Sequence, residues 1–184
     1  MNDFFIAANR SAFVGDIEVR QIQMKEFDLW DAHAKLIKAS LESENYSDEI
    51  LTTLLETNGL AVIMSLSMVC GVVAEDLFSS DDLLGLIRAM LTINTAYFKK
   101  EKRVRKSQFI PADDYTWFDS FQLLVSAGHS PESIMNMTYG AFAAYLKAAQ
   151  KEYSSKLRAM SNVIRCAQHA DRKGFEKFVG QLQG

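Results

Sequence analysis

Three histidines, two cysteines and adjacent carboxylate pairs are the side chains from which this 184-residue chain would have to build a catalytic or metal site. His33, His129 and His169 are scattered, and none stands in a metal spacing such as H-E-x-x-H. Cys70 and Cys166 have no Cys or His at ligand distance in sequence. Both lie in apolar helical patterns, so buried free thiols are predicted, not a disulfide framework. No G-x-x-x-x-G-K-[ST], G-x-G-x-x-G or G-x-S-x-G is present. Glu75-Asp76, Asp81-Asp82 and Asp113-Asp114 fall at predicted helix ends, where free N–H groups and the helix dipole favour negative charge. Capping accounts for them without acid–base chemistry. The expectation is a protein that is not an enzyme, with no catalytic, cofactor-binding or metal residues.

The densest charge is a basic run, Lys99, Lys100, Lys102, Arg103, Arg105 and Lys106, interrupted only by Glu101 and Val104. Six cations in eight residues can neutralise several phosphates, with affinity that falls steeply with salt. They serve equally as a solvated helix end or linker, where cations complement the C-terminal dipole. No aromatic residue interleaves them, as single-stranded nucleic acid would want. Residues 1–98 carry 6 basic and 15 acidic groups, 99–106 carry 6 and 1, and 107–184 carry 8 and 7. The run therefore separates an acidic half from a near-neutral one. The predicted organisation is an N-terminal domain over 1–98, a basic linker or helix extension over 99–114, and a C-terminal helical domain over 115–184.

These groups must be positioned by helices. Apolar residues make up 48% of the chain, and only 9 Gly and 2 Pro interrupt it. That composition excludes a disordered chain and disfavours a many-stranded sandwich. The expected class is mainly α, a helical bundle with a small N-terminal β element. Alternation over residues 17–20 predicts a strand, with residues 12–14 and 4–6 as partners. Phe27, Trp30, Ala34, Ile37 and Leu41 share one face of a first helix. A second is predicted from Ser47 to a stop at Asn58-Gly59. The uncharged stretch over 57–74 predicts a central core helix over 60–78, short of what a membrane span wants. Ser79 to Asp82 should cap a helix over 83–98. The break around Pro111 precedes a fifth helix, begun by Asp113-Asp114 and ended by Gly128 as a C′ residue. Ser130-Pro131 should open a short helix, Thr138 a long one and Asp171 a last one. Trp117, Phe118 and Phe121 have helical spacing and are expected in the core. His129 is expected to face solvent in a loop.

Three stretches carry a family resemblance. The first is Ile17-Glu18-Val19-Arg20-Gln21-Ile22 leading into Glu26-Phe27-Asp28-Leu29-Trp30. The second is Asp81-Asp82-Leu83-Leu84-Gly85-Leu86-Ile87, running to Ile93-Asn94-Thr95-Ala96-Tyr97-Phe98 and the basic tail. The third is Trp117-Phe118-Asp119-Ser120-Phe121-Gln122-Leu123-Leu124-Val125-Ser126-Ala127-Gly128-His129, followed by Ile134-Met135-Asn136-Met137-Thr138-Tyr139-Gly140. In this order the chain resembles the tail assembly chaperones of long-tailed, siphovirus-like bacteriophages. The resemblance implies a non-enzymatic protein of the host cell cytoplasm. It would coat the tape-measure protein, keep it soluble, recruit tail-tube subunits and leave before virion assembly is complete. It would have no cofactor and no membrane partner, and copies of it could associate into a homo-oligomer. In many members a ribosomal frameshift makes a longer product, and the 99–114 break would then separate a tape-measure-binding part from a tube-recruiting part. Met64, Met68, Leu86, Met90, Tyr97 and Phe98 are the candidate partner-binding residues, as walls of an apolar groove. The alternative is a nucleic-acid-binding regulator that uses the basic segment 99–106.

Overall fold

The computed structural model describes residues 10–41, 45–99, 116–169 and 171–182. It is helix-dominated, with a single two-stranded sheet among the described residues. Strands β1 (Ala12–Val14) and β2 (Ile17–Val19) form an antiparallel hairpin closed by Gly15-Asp16, with Phe13 opposite Glu18. Gly15 takes a φ of 57°, which a side chain would disfavour at this tight turn. The strand expected over residues 4–6 lies outside the described residues.

A 3-10 turn (Met24–Glu26) leads into α1 (Phe27–Ser40), and Phe27, Trp30, Ala34 and Ile37 are buried as their spacing predicts. Helix α2 (Asp48–Cys70) differs from expectation. Asn58 adopts non-helical angles, yet the chain resumes the helix beyond it. The expected stop at Asn58-Gly59 is a kink, because tertiary packing overrides two weak helix formers. The expected helix over 60–78 also ends early. Gly71 caps α2 in the left-handed region at φ 67°, and the short α3 (Ala74–Phe78) follows. Helix α2 has the length and apolar composition of a membrane span. Here Leu51, Leu54, Val62, Ile63, Leu66 and Val69 are buried, and α2 packs between α1 and α4 (Leu83–Ile93). Asp82 caps α4 by accepting the Gly85 N–H at 2.8 Å, as the Ser79 to Asp82 cluster predicts.

The expected helix over 83–98 is broken at Asn94 into α4 and the single turn α5 (Thr95–Phe98). The reason is a buried polar exchange. The Asn94 Oδ1 accepts the Ile22 N–H at 2.8 Å, and its Nδ2 donates to the Met90 carbonyl at 3.2 Å. The extended segment after β2 is tied at each step to a helix end. The Arg20 N–H donates to the Val69 carbonyl at 3.0 Å, and the Met24 N–H to the Met137 carbonyl at 2.9 Å. The Ile22 carbonyl accepts the Tyr139 N–H at 2.9 Å.

Helix α6 (Trp117–Ser126) opens with a capping box between Thr116 and Asp119. Its expected start at Asp113-Asp114 lies outside the described residues. Gly128, at φ 98°, follows its end as expected. Ser130 caps α7 (Pro131–Asn136), accepting the Ser133 N–H at 3.1 Å. Thr138 caps α8 (Tyr139–His169), accepting the Ala141 N–H at 3.2 Å. Asp171 caps α9 (Arg172–Leu182), accepting the Gly174 N–H at 2.8 Å.

Compact packing divides the chain after Tyr145, into a unit ending there and a unit from Leu146 onward. The expected division at 99–114 falls mostly on residues outside the described ones. The helices assigned to a C-terminal domain from 115 instead pack with the first unit as far as Tyr145. Their apolar faces meet the 3-10 turn and the start of α1, a contact between distant segments that local patterning does not reveal.

Replacing Asn94 by Leu leaves the Ile22 N–H without its partner in the core, at a cost of about 1–3 kcal/mol. Urea unfolding should report that loss with an unchanged m-value. A variant as stable as the parent would show that Asn94 is dispensable.

Candidate functional site

Phe27 is the centre of an aromatic cluster that draws four elements of the first unit together. Its ring stacks on Tyr139 at 4.8 Å and meets Trp117 at 5.3 Å and Tyr97 at 5.8 Å, both edge-on. Trp30 packs against Tyr97 at 4.9 Å and Phe98 at 5.6 Å. Phe142 joins Trp117 and Phe121 at 5.9 and 5.4 Å. Edge-to-face contacts of this kind add about 0.5–1.5 kcal/mol each beyond the area they bury.

The outer rim of the cluster is bare. Trp117 is 54% exposed and Phe118 74%, which corrects the expectation that both belong to the core. The capping box fixes where α6 starts, and its inward face is then taken by Ser120 and Leu124. Beneath Trp117 is a cleft of about 460 Å³ lined by Met24, Lys25, Phe27, Asp28, Asp31, Trp117, Phe121 and Met135. It is a small concave apolar site, of the size that takes a few side chains. Asp28 and Asp31 stand three residues apart on α1 and bring carboxylates to its edge, against the single ammonium of Lys25. Asp31 also accepts the Tyr97 hydroxyl at 2.5 Å. Burial, reinforced by the bond to Asp31, raises the Tyr97 pKa well above the phenol range, so Tyr97 stays a neutral donor. Such a cleft can take an apolar side chain from a partner and favours one with a cation beside it.

The groove residues expected from the sequence are not brought together at a surface. Leu86 and Met90 are fully buried in α4, and Tyr97 and Phe98 are buried in the aromatic cluster. Their spacing marked an inward face, and inward here means core. Met64 is exposed and Met68 half-buried on α2. Lys99 is exposed, while Lys100, Lys102, Arg103, Arg105 and Lys106 lie outside the described residues. The cleft was missed because Met24, Lys25 and Met135 come from segments too short to show periodicity.

The groups that could do chemistry are dispersed. His33 is half-buried on α1, and His169 is exposed at the end of α8. His129, expected to face solvent, is half-buried with its ring 4.9 Å from that of Tyr145. The Ala127–His129 turn folds back on α6 and carries the imidazole with it. Both cysteines are half-buried free thiols. Burial pushes the Cys70 thiol up to about 11, partly offset by the nearby Arg20 charge. Asp82 caps α4, and Glu75 and Asp76 lie in the first turn of α3, as expected of carboxylates at helix starts. No group of three or more His, Cys, Asp or Glu stands together among the described residues.

The two tryptophans provide a readout. Trp30 is fully buried and Trp117 half-exposed, so acrylamide should quench two emission components with very different efficiency. Trp117→Phe should remove the accessible one, and a partner filling the cleft should shield it. A single homogeneous component would contradict the exposed rim. In comparisons with known proteins, no family model, curated protein or solved structure matches the chain.

Proposed function

We propose that this chain is a tail assembly chaperone of the siphovirus type, a non-enzymatic helical protein of the host cytoplasm. In this reading it shelters an apolar stripe of the tape-measure protein and brings tail-tube subunits to it. The observation that carries the reading is the bare aromatic rim of the first unit, Trp117 over the cleft floored by Phe27, with Phe118 exposed next to it on α6. Exposed aromatics beside a cleft mark a site of contact with another molecule. Aromatic anchors on a rigid scaffold bind well for their area, because few rotamers are lost on docking. The sequence resemblance supplies the identity of the partner. The long helical stripe of a tape-measure protein is the kind of surface that would aggregate uncovered. Displacement during assembly requires modest affinity, and a shallow cleft on a small unit suits that.

The test is co-expression with the longest helical protein encoded beside this gene. The partner should be soluble with the parent chain and should co-purify. Trp117→Ala with Phe118→Ala should move most of it to the insoluble fraction, since each hot-spot aromatic is worth about 2 kcal/mol or more. Solubility unaffected by the chain, or by the double variant, would reject the reading.

A second reading has its own observation. Residues 146–184 carry 8 basic and 3 acidic groups, and the 99–106 run adds six cations. A nucleic-acid-binding regulator would use these on phosphate. It requires binding to an oligonucleotide that weakens steeply with salt and is lost when Lys99, Lys100, Arg103 and Arg105 become Ala. Salt-independent binding, or none, would remove it.

A further inference from the structure

The cleft beneath Trp117 suits one kind of side chain better than any other. Phe27 and Trp30 of α1 turn into the core, and Asp28 and Asp31, the next residue after each, line or edge the cleft. Asp28 is exposed, and its carboxylate has neither a hydrogen bond nor an ion pair with a described residue. Asp31 accepts the Tyr97 hydroxyl through Oδ1, which leaves Oδ2 open to a donor. Two cations of the chain are near, and neither pairs with these carboxylates. Lys25 lines the same cleft without an ion pair, and Lys38 holds its ammonium 4.6 Å from the centre of the Tyr97 ring. The aromatic cluster therefore already carries one cation on a ring. The remaining walls are soft and uncovered, with Trp117 54% exposed, Met135 38% exposed and Phe121 half-buried.

Charge and shape exclude other occupants. The two carboxylates repel a phosphate or an acidic side chain. A metal ion would find them beside an ammonium, and no third His, Cys, Asp or Glu stands with them among the described residues. A purely apolar side chain would meet the walls but strip water from the carboxylates without replacing it. A guanidinium meets both demands. It is planar and weakly hydrated, stacks on aromatic rings and presents a fork of donors to carboxylates, whereas an ammonium holds its water more tightly. Trp is the ring that holds a cation best, and the arginine stem covers apolar surface on the way in. Residues 1–145 carry 12 basic and 20 acidic groups, so the surrounding field also draws a cation.

We infer that the cleft beneath Trp117 receives an arginine of the partner protein, with its guanidinium against Trp117 and its N–H groups turned to Asp28 and Asp31. The inference rests on the reading of this cleft as a partner site and names the side chain that enters it. Arginine binding with no effect of the chain on tape-measure solubility would reject the chaperone identity and leave this one standing.

The experiment titrates the full chain with a labelled synthetic helix that has Leu along one face and a single Arg within it, and with twins carrying citrulline, Lys or Glu at that position. Citrulline keeps the shape of arginine and removes its charge. The Arg helix should bind and shield Trp117 from acrylamide. It should bind about fivefold or more tighter than the citrulline twin, the size of one exposed cation–π contact with one surface ion pair. The Lys twin should fall between them and the Glu twin should be weakest. Asp28→Asn with Asp31→Asn should bring the Arg helix down to the citrulline level with circular dichroism unchanged, since an amide oxygen at 31 still accepts the Tyr97 hydroxyl. Lys25→Gln should tighten the Arg helix about twofold or more and leave the citrulline twin unchanged, a gain that misfolding cannot produce. Equal binding of the Arg and citrulline helices overturns the inference and leaves the cleft reading standing. Binding of none of the helices overturns it, as does an Arg preference that survives the Asp28, Asp31 variant. So does a Trp117 that becomes more accessible in the chain alone on Arg103→Ala with Arg105→Ala, which would make the chain's own basic run the occupant.

Discussion

The fold of the first unit depends on how the extended residues between β2 and α1 are satisfied. A strand that runs between helices has no neighbouring strand to take its N–H and C=O groups, and a buried unpaired backbone group is costly. Here each helix it passes contributes a group that its own ladder has left over. The C-terminal turn of α2 contributes the Val69 carbonyl, and the first residue of α8 contributes the Tyr139 N–H. Met137, which caps the end of α7, contributes its carbonyl. Helix ends lack partners by construction, so the exchange satisfies both sides. For the Ile22 N–H the acceptor is a side chain, the Asn94 amide, at the break between α4 and α5.

This explains why the aromatic cluster sits where it does. Threading residues 20–24 past α2, α4 and the α7–α8 junction fixes the 3-10 turn, and with it the entry of Phe27 into the interior. Tyr139 is held by its own N–H bond to Ile22, which sets its ring against Phe27. The cluster is thus a consequence of backbone accounting several residues away. Its outer members complete the packing on one side only. Trp117 touches Phe27 and Phe142 and is still half exposed to solvent.

Much of the helix inventory was legible because caps and amphipathic stripes are local. Asp82, Ser130, Thr138 and Asp171 each accept a helix N–H, as their residue types predict. The face Phe27, Trp30, Ala34, Ile37 is buried as its spacing requires. The errors arise where a distant partner decides. Nothing near Asn94 shows that its amide is wanted by Ile22, so a continuous helix over 83–98 was the natural expectation. Asn58-Gly59 looks like a stop in isolation, yet the buried residues on both sides of it hold α2 together through a kink. The same limit governs the surfaces. A 3–4 stripe reports that a face is turned toward something apolar, without saying whether that is the protein's own core or another molecule. Leu86 and Met90 are buried in the protein's own core, whereas Leu157 and Ile164 are about half exposed.

The two units also differ in sign. Residues 1–145 carry 12 basic and 20 acidic groups, net −8, and residues 146–184 are net +5. A chain net charge of −3 conceals that division. It matters because fields at the two surfaces would attract different neighbours and repel the wrong ones, which shapes encounter rates and selectivity more than affinity. The cleft beneath Trp117 has two carboxylates at its edge, while the second unit carries a net positive charge. Under the proposed function, one chain would then attract segments of opposite charge at separate places. An adaptor that brings a second protein to a first requires that arrangement, whereas a protein that only coats a single partner gains nothing from it.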